Sequence, residues 1–466
     1  MGGLCSTAAS PPPTGKSEAT ELLHPPRGGM SLLSATAVLA TFSTTSSNVM
    51  YPWTYAQLGI GLGPLLGLAL QGMMLGLSIL VSTLAVELRC ATFGELGESL
   101  GGVWGGRLLR GTQTLNNALF LPVALILSAE ALRQVGLTAY GCHGAAGESA
   151  ACEWWACHVN TVLLLVGLAW PVLLLARDVA HLGAVSLASV VLIVVQGFIL
   201  VVYASSVAPH GFIAEPYAWF GSSRRIGWAD VISALGTYLY SFCPMFLSVE
   251  VAAGMQQPKK IGKALVYSFI FNQFMYIPVG IIVVAFWGGA VTDPINLAVS
   301  QGASSVICNL ILLFCTFLDY AIVGALLNRE LQMSLFPAFD RTCSSKNVPA
   351  WLMLTAPSLL FSLVMALFVP KLDSLKGLLT SFCVPSAMLF GPAGLLLYRL
   401  YFTPASPPSA VSEAITSLHK DNKFILLGGF VLGMGFLIAI FAQTLHNIIF
   451  DTNYGGAYFC EQVAGI

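Results

Sequence analysis

"TFSTTSSNVMYPW", Thr41 to Trp53, sets a polar run and a proline inside an apolar sequence. Six consecutive hydroxyl and amide side chains, Ser43 to Asn48, and then Pro52, stand between two apolar runs, "SLLSATAVLA" and "LLGLALQGMMLGLSIL". Ser and Thr do not unwind a helix by themselves, because their hydroxyls can bond back to the preceding turn. Pro52 adds what they lack. It has no N–H, its ring clashes with the carbonyl four residues back, that of Asn48, and it disfavours helical geometry at Tyr51. A backbone carbonyl near Asn48 is then left without its donor at membrane depth. Irregular backbone is tolerated there only when it is buried in protein or lines a water-filled cavity. The plainer reading is a kink packed against other helices; the sharper one is that something polar binds.

Membrane depth is the right frame because of composition. Only 9% of the 466 residues are charged and 56% are hydrophobic, with a mean hydropathy of +0.80. A typical soluble domain carries about 25% charge. Apolar runs of the roughly 20 residues that a membrane helix needs recur along the chain. They are continuous rather than alternating, which speaks against a β-barrel. Eleven helical spans are expected, at about 31–57 (interrupted), 62–86, 108–132, 158–177, 182–204, 229–254 (interrupted), 263–288, 304–328, 350–369, 376–401 and 422–450. With the N-terminus in the cytoplasm, 15 of the 20 Lys and Arg residues fall in inner segments and 5 in outer ones, the bias that sets orientation. A net charge of −1 and the lack of any basic tract exclude nucleic acid as a partner.

The sixth span repeats the anomaly of the first. "DVISALGTYLYSFCPMFLSVEVAAGM", Asp230 to Met255, carries Pro244 in its middle, which frees the carbonyl of Tyr240 beside Ser241. The two interrupted spans stand five helices apart. Five is odd, so the second unit of five enters the membrane from the opposite side. That is the sign of an inverted repeat, with substrate held between two discontinuous helices near the midplane. The expected architecture is therefore an all-α polytopic membrane protein. A tail at 1–30 precedes five-helix repeats at 31–204 and 229–401, joined by an outer loop at 205–228. A cytoplasmic loop at 402–421, an extra helix at 422–450 and an outer tail at 451–466 follow. Candidate substrate-binding residues are Thr45, Ser46, Ser47 and Asn48 in the first break and Tyr240, Ser241 and Phe242 in the second. Asn117 joins them from the polar stripe Gln113, Asn116 and Asn117 of the third span, a stripe that interhelical bonding explains equally.

Other segments resemble a known family. "YPWTYAQLGIGLGPLLGL" from Tyr51 is similar to the start of the eukaryotic amino acid/auxin permease family, within the larger amino acid–polyamine–organocation group. "VEVAAGMQQPKKIGKAL" from Val249 resembles its sixth-helix exit, and "AVELRCATFGELGESLGGVWG" from Ala85 its second-to-third-helix connection. The resemblance covers residues 31 to 450. It implies amino acid transport, a gating place for Glu250, and a coupling-cation site where the first break meets the eighth span. One departure stands out: Thr45 and Ser47 occupy the places of a glycine-x-glycine in that family, so hydroxyls replace bare backbone.

Asp319, in "LLFCTFLDYAIVGALLNRE", lies well inside the eighth span, with Thr316 one turn before it. An ionisable group at that depth is costly and marks an ion or proton path; a structural Asp bonded to helix ends is the bland alternative. Asp319 and Thr316 are the candidate ion-coupling pair, for H⁺ or Na⁺. Glu250 could gate the inner side or pair with Lys259 or Lys260. Cys142, Cys152 and Cys157 cluster in one outer loop, facing an oxidising compartment, and at least one disulfide is expected there. No metal-ligand spacing and no phosphate-binding loop occur. No cofactor is expected beyond a co-transported cation.

The function these features imply is cation-coupled symport of an amino acid, or of an auxin-like aromatic acid, by alternating access in the plasma membrane or the vacuolar or lysosomal membrane. A nutrient sensor using the same pocket would want a large signalling tail. A membrane enzyme would want a nucleophile–base pair or metal cluster at depth.

Overall fold

The structure, a computed structural model, describes residues 29–142, 150–176, 182–206, 228–288, 291–297, 299, 302–335, 348–368, 377, 379–380, 384–401 and 424–443. The tails and the loops expected around 205–228 and 402–421 lie outside those residues or at their margins. Helix occupies each of the eleven expected stretches, at least in part. The elements are α1 Leu32–Thr44, α2 Tyr51–Leu58, α3 Leu62–Glu87, α4 Phe93–Ala139, α5 Ala150–Ala156, α6 His158–Leu175 and α7 Gly183–Ser206. They continue with α8 Trp228–Ser241, α9 Met245–Gly254, α10 Ile261–Trp287, α11 Ala303–Leu335, α12 Val348–Phe368 and α13 Gly391–Tyr401, and end with α14 Phe424–Gln443. Among the described residues, seven helices are long and apolar enough to cross a membrane, and an eighth if α5 and α6, bent by 72° at Cys157, count as one span.

Both interruptions are present, and element length explains why each pair makes one crossing. At 1.5 Å per residue, α1 and α2 are about 20 and 12 Å long, and α8 and α9 about 21 and 15 Å. Neither half reaches about 30 Å of hydrocarbon, but each pair does. The result is an all-helical fold of two inverted five-helix units, each opening on a broken helix.

The third span starts earlier than its apolar run. Thr92 caps α4 by accepting from Glu95 N, and the helix runs through the charged stretch around Glu95, Glu98 and Arg107. Gly101 and Gly102 leave helical geometry there, Gly102 with φ 63°, a conformation a side chain disfavours. A short first segment thus folds back on the long one. Its Gly97 meets Gly105 backbone to backbone, leaving no room for a Cβ on either.

Outward faces are apolar, as lipid contact demands: Trp104, Phe198, Ile270, Phe274, Met353 and Phe424 are exposed. The polar side chains lie inside instead, where helices meet. The two broken helices are also fastened at one end. Met30, just before α1, forms a parallel bridge with Met255, just after α9; Met30 N donates to Gly254 O at 2.8 Å and Gln256 N to Met30 O at 2.9 Å.

Candidate functional site

In the first break the hydroxyl run does two things. Ser43, Thr44 and Thr45 donate to the carbonyls of Leu39, Ala40 and Thr41 at 3.0, 2.7 and 2.8 Å. This back-bonding gives each hydroxyl an acceptor inside the helix and keeps α1 helical to Thr44. The chain then makes one 3₁₀ turn, Ser47–Val49, and restarts as α2 with Pro52 in its first turn. A proline there forgoes an N–H that would have no helical partner anyway. Pro52 therefore starts the second half-helix instead of kinking a continuous one, which corrects the clash with Asn48 read from spacing alone.

The second break mirrors the first. α8 ends at Ser241, whose hydroxyl bonds back to Thr237 O. Phe242 and Cys243 follow, and Pro244 stands at the N-cap of α9. The two breaks touch directly, Ser46 Oγ lying 3.1 Å from the Tyr240 hydroxyl. Phe120 of α4 closes that junction, stacked on Tyr240 with centroids 6.0 Å apart and against Phe42 at 5.3 Å. Phe242 turns the other way, edge-on to Phe269 of α10 at 5.4 Å.

Sequence reading missed the residue that joins the breaks most closely. Tyr276, in the middle of α10 and fully buried, places its hydroxyl 2.6 Å from Ser43 O and 3.0 Å from Ser241 O. Its ring stacks on Tyr51 of α2 with centroids 3.9 Å apart. Behind Tyr51, the Gln71 amide donates to the Tyr51 hydroxyl and to Tyr238 O, and Gln273 donates to Gln71 Oε1 at 2.6 Å. An amide or a tyrosine inside an apolar span reads as packing in sequence, so no signal separated Tyr276, Gln71 and Gln273 from their neighbours.

The candidate binding residues are buried together. Ser43 through Asn48 are at most 5% exposed. Asn48 has neither Nδ2 nor Oδ1 bonded within the described residues, and Asn117 Nδ2, Asn116 Oδ1 and Asn272 Nδ2 also lack partners. A buried polar atom without a partner is costly and uncommon in a native core. Asn48, Asn117 and Asn272 offer N–H donors suited to a carboxylate. The orphaned oxygens of Asn48 and Asn116 suit an ammonium group. Thr44 Oγ1 also lies 2.5 Å from Asn272 Oδ1, which competes with Ala40 O for its single proton and ties the first break to α10.

Asp319 is sixteen residues from each end of α11, which runs on to Leu335 rather than stopping near 328. It sits mid-helix, 1% exposed, within hydrogen-bonding reach of the Thr45 hydroxyl and near the thiols of Cys243 and Cys315. The eighth span and the first break therefore meet. Thr316 does not join them: its hydroxyl bonds Ser128 of α4 at 2.7 Å and Leu312 O at 2.7 Å, so it fastens α11 to α4.

Glu250 is also buried, at 5% exposure, whereas Lys259 and Lys260 are exposed. Its partners are Gln113 Nε2 at 2.9 Å and Phe93 N at 3.3 Å. Gln113 donates as well to Phe246 O at 2.7 Å. The pairing with lysine gives way to a bond at the N-terminus of α4, where unpaired N–H groups favour a carboxylate. Arg329 and Glu330 lie close enough to act on its charge, and Glu330 pairs with Arg110 at 3.6 Å. At the opposite end of α4, Cys142 and Cys152 form a disulfide. Cys157 is disulfide-bonded too.

With this geometry in view, the fold compares with that of a solved structure. The chain superposes on MhsT, solved in complex with L-phenylalanine, with a TM-score of 0.61 and 12% identity, over 90% of this chain and 100% of that one. That likeness concerns the fold. Residues 28–439 match the family model described as transmembrane amino acid transporter protein. The chain belongs to that family, and it is an integral, multi-pass membrane protein. No curated protein matches it in sequence.

Proposed function

We propose that this protein is a secondary active symporter that carries an amino acid, or an auxin-like aromatic acid, with H⁺ or Na⁺ by alternating access. One observation carries the coupling: a carboxyl at the centre of α11 reaches the hydroxyl of Thr45 at the break of the first helix. Thr45 has one proton and two candidate acceptors, Thr41 O and Asp319. When Asp319 is protonated, its own O–H donates to Thr45, and Thr45 keeps its bond to Thr41. When Asp319 is ionised, it competes for the Thr45 proton, and the Thr41 carbonyl, still accepting Thr45 N at 3.1 Å, has its second lone pair freed toward a cation. Oxygen ligands of this kind also suit Na⁺, a hard cation. Loading the cation thus acts on the backbone of the broken helix itself, which is the element expected to move.

The substrate would lie against the junction of Ser46, Tyr240 and Phe120. The unpaired amides of Asn48 and Asn117 supply donors and acceptors for an α-amino acid's two charged groups. Thr45 and Ser47 narrow the approach to bare backbone but contribute hydroxyls. Glu250, bonded to the start of α4, would hold the cytoplasmic side closed, in the orientation that the Lys and Arg distribution implies. The plasma membrane and the vacuolar or lysosomal membrane both suit this reading.

Uptake of a panel of labelled amino acids into proteoliposomes, with and without Na⁺ and at two pH gradients, tests it. Accumulation of at least one amino acid that collapses when the cation gradient is removed is expected. Saturable binding without uptake under every gradient would overturn symport and favour a sensor.

A further inference from the structure

We infer that Tyr276 is a positioning residue for transport, whose hydroxyl clasps the two broken helices together and holds the junction closed; this rests on the transport reading above. Ser43 O and Ser241 O both belong to the last turn of a half-helix, α1 and α8. Carbonyls in such turns lack intrahelical donors and carry the negative end of the helix dipole. The two half-helices approach the junction from opposite ends of the fold, so two negative ends converge on one point. A phenol supplies a single O–H. At 2.6 and 3.0 Å, that one donor serves both carbonyls and offsets the repulsion between them.

The clasp can act because it is mounted rigidly and its two acceptors are not. Tyr276 comes from α10, a continuous helix of 27 residues with Pro278 inside it, and its ring is stacked on Tyr51, which Gln71 and Gln273 hold in turn. The acceptors lie on the two elements whose breaks allow them to tilt. Any tilt of α1 or α8 that opens the junction must first take one carbonyl away from the hydroxyl. The proton then goes wholly to the other. The clasp therefore resists opening until something replaces its bond, and the freed carbonyl is then an oxygen ligand facing the substrate or cation.

Tyr276→Phe removes the hydroxyl and keeps the ring that stacks on Tyr51. A reporter is already in place, since Cys243 is buried in the second break, within 3.3 Å of Tyr240 O and close to Tyr276. Cys308, buried on α11, is the internal control. The experiment measures alkylation of each cysteine by a small maleimide, by peptide mapping of the full-length protein in liposomes, beside uptake of the best amino acid. In Tyr276→Phe, Cys243 is expected to react at least tenfold faster, while Cys308 keeps its wild-type rate. The substrate concentration at half-maximal uptake is expected to rise at least tenfold at equal protein insertion. Unchanged Cys243 reactivity, or equal acceleration of Cys243 and Cys308, would overturn the clasp. So would normal uptake by the variant. The alkylation arm needs no transport: a wild type that moves no amino acid would sink the transport reading, and Cys243 would still report on the clasp.

Discussion

Removing the Glu250 carboxylate is a perturbation whose size follows from its partners. Glu250→Ala strips the acceptor from Phe93 N, whose residue is fully buried, and from one amide proton of Gln113, which keeps its bond to Phe246 O. Leaving a buried donor unpaired costs about 1–3 kcal/mol, so two would total about 2–6 kcal/mol. Interhelical hydrogen bonds measured inside membranes average nearer 0.6 kcal/mol, with a maximum near 1.7. The membrane figure applies to the Gln113 bond and the larger one to the helix-terminal N–H, which gives about 1.6–3.6 kcal/mol in all. If that energy holds the cytoplasmic side closed, its loss shifts the balance toward the inward-open form by roughly 15- to 400-fold, at about tenfold per 1.4 kcal/mol. A state that binds from outside and is populated less raises the apparent half-saturation for outside substrate, by at most that factor. Glu250→Gln keeps an oxygen acceptor and should cost about 1 kcal/mol, roughly fivefold. The assay is initial uptake against concentration for wild type, Gln and Ala variants, normalised to inserted protein. An Ala variant with wild-type half-saturation and rate would refute the gating role and leave Glu250 as a cap on α4.

Asn48→Leu, and Ser241→Leu in the second break, should reduce uptake below a tenth of wild type while cell-surface labelling stays normal; uptake near normal by both would leave the breaks as mere kinks. The Cys142–Cys152 bridge closes a loop of ten residues, which by loop-closure entropy stabilises that segment by about 2–3 kcal/mol. Cys142→Ser should therefore lower the thermal midpoint of the solubilised protein by a few degrees and leave half-saturation unchanged, and non-reducing peptide mapping of wild type should return the bridged pair.

The breaks were legible because proline and a run of six short polar side chains cannot hide in an apolar sequence. Two of them standing five spans apart implied the inverted repeat. Asp319 was legible for the same reason, as one carboxylate in an otherwise apolar helix. The geometry that links these parts was not. Tyr276, Gln71 and Phe120 sit in apolar runs where an aromatic ring or a lone amide is ordinary packing, and only the tertiary arrangement brings Tyr276 to carbonyls 233 and 35 residues away. Glu250 seemed to call for a lysine nine residues on, because a helix N-terminus carries no formal charge that sequence displays. Thr316 shares a helix turn with Asp319, yet its hydroxyl finds Ser128 on α4. The start of α4 was hidden by its glutamates and glycines, which read as a loop until Thr92 is seen to cap it.

Asp319→Asn in proteoliposomes puts the central claim to its most direct test, because asparagine imitates a carboxyl that never gives up its proton. Counterflow of labelled amino acid between equal internal and external pools and accumulation against a gradient are measured on the same preparation. Exchange is expected to survive within about threefold of wild type while accumulation is lost. With H⁺ as the coupling ion the pH dependence of uptake flattens; with Na⁺ its stimulation disappears and the pH response stays. An Asp319→Asn protein that still concentrates amino acid, with wild-type dependence on both pH and Na⁺, would contradict the account and make Asp319 a structural partner of Thr45.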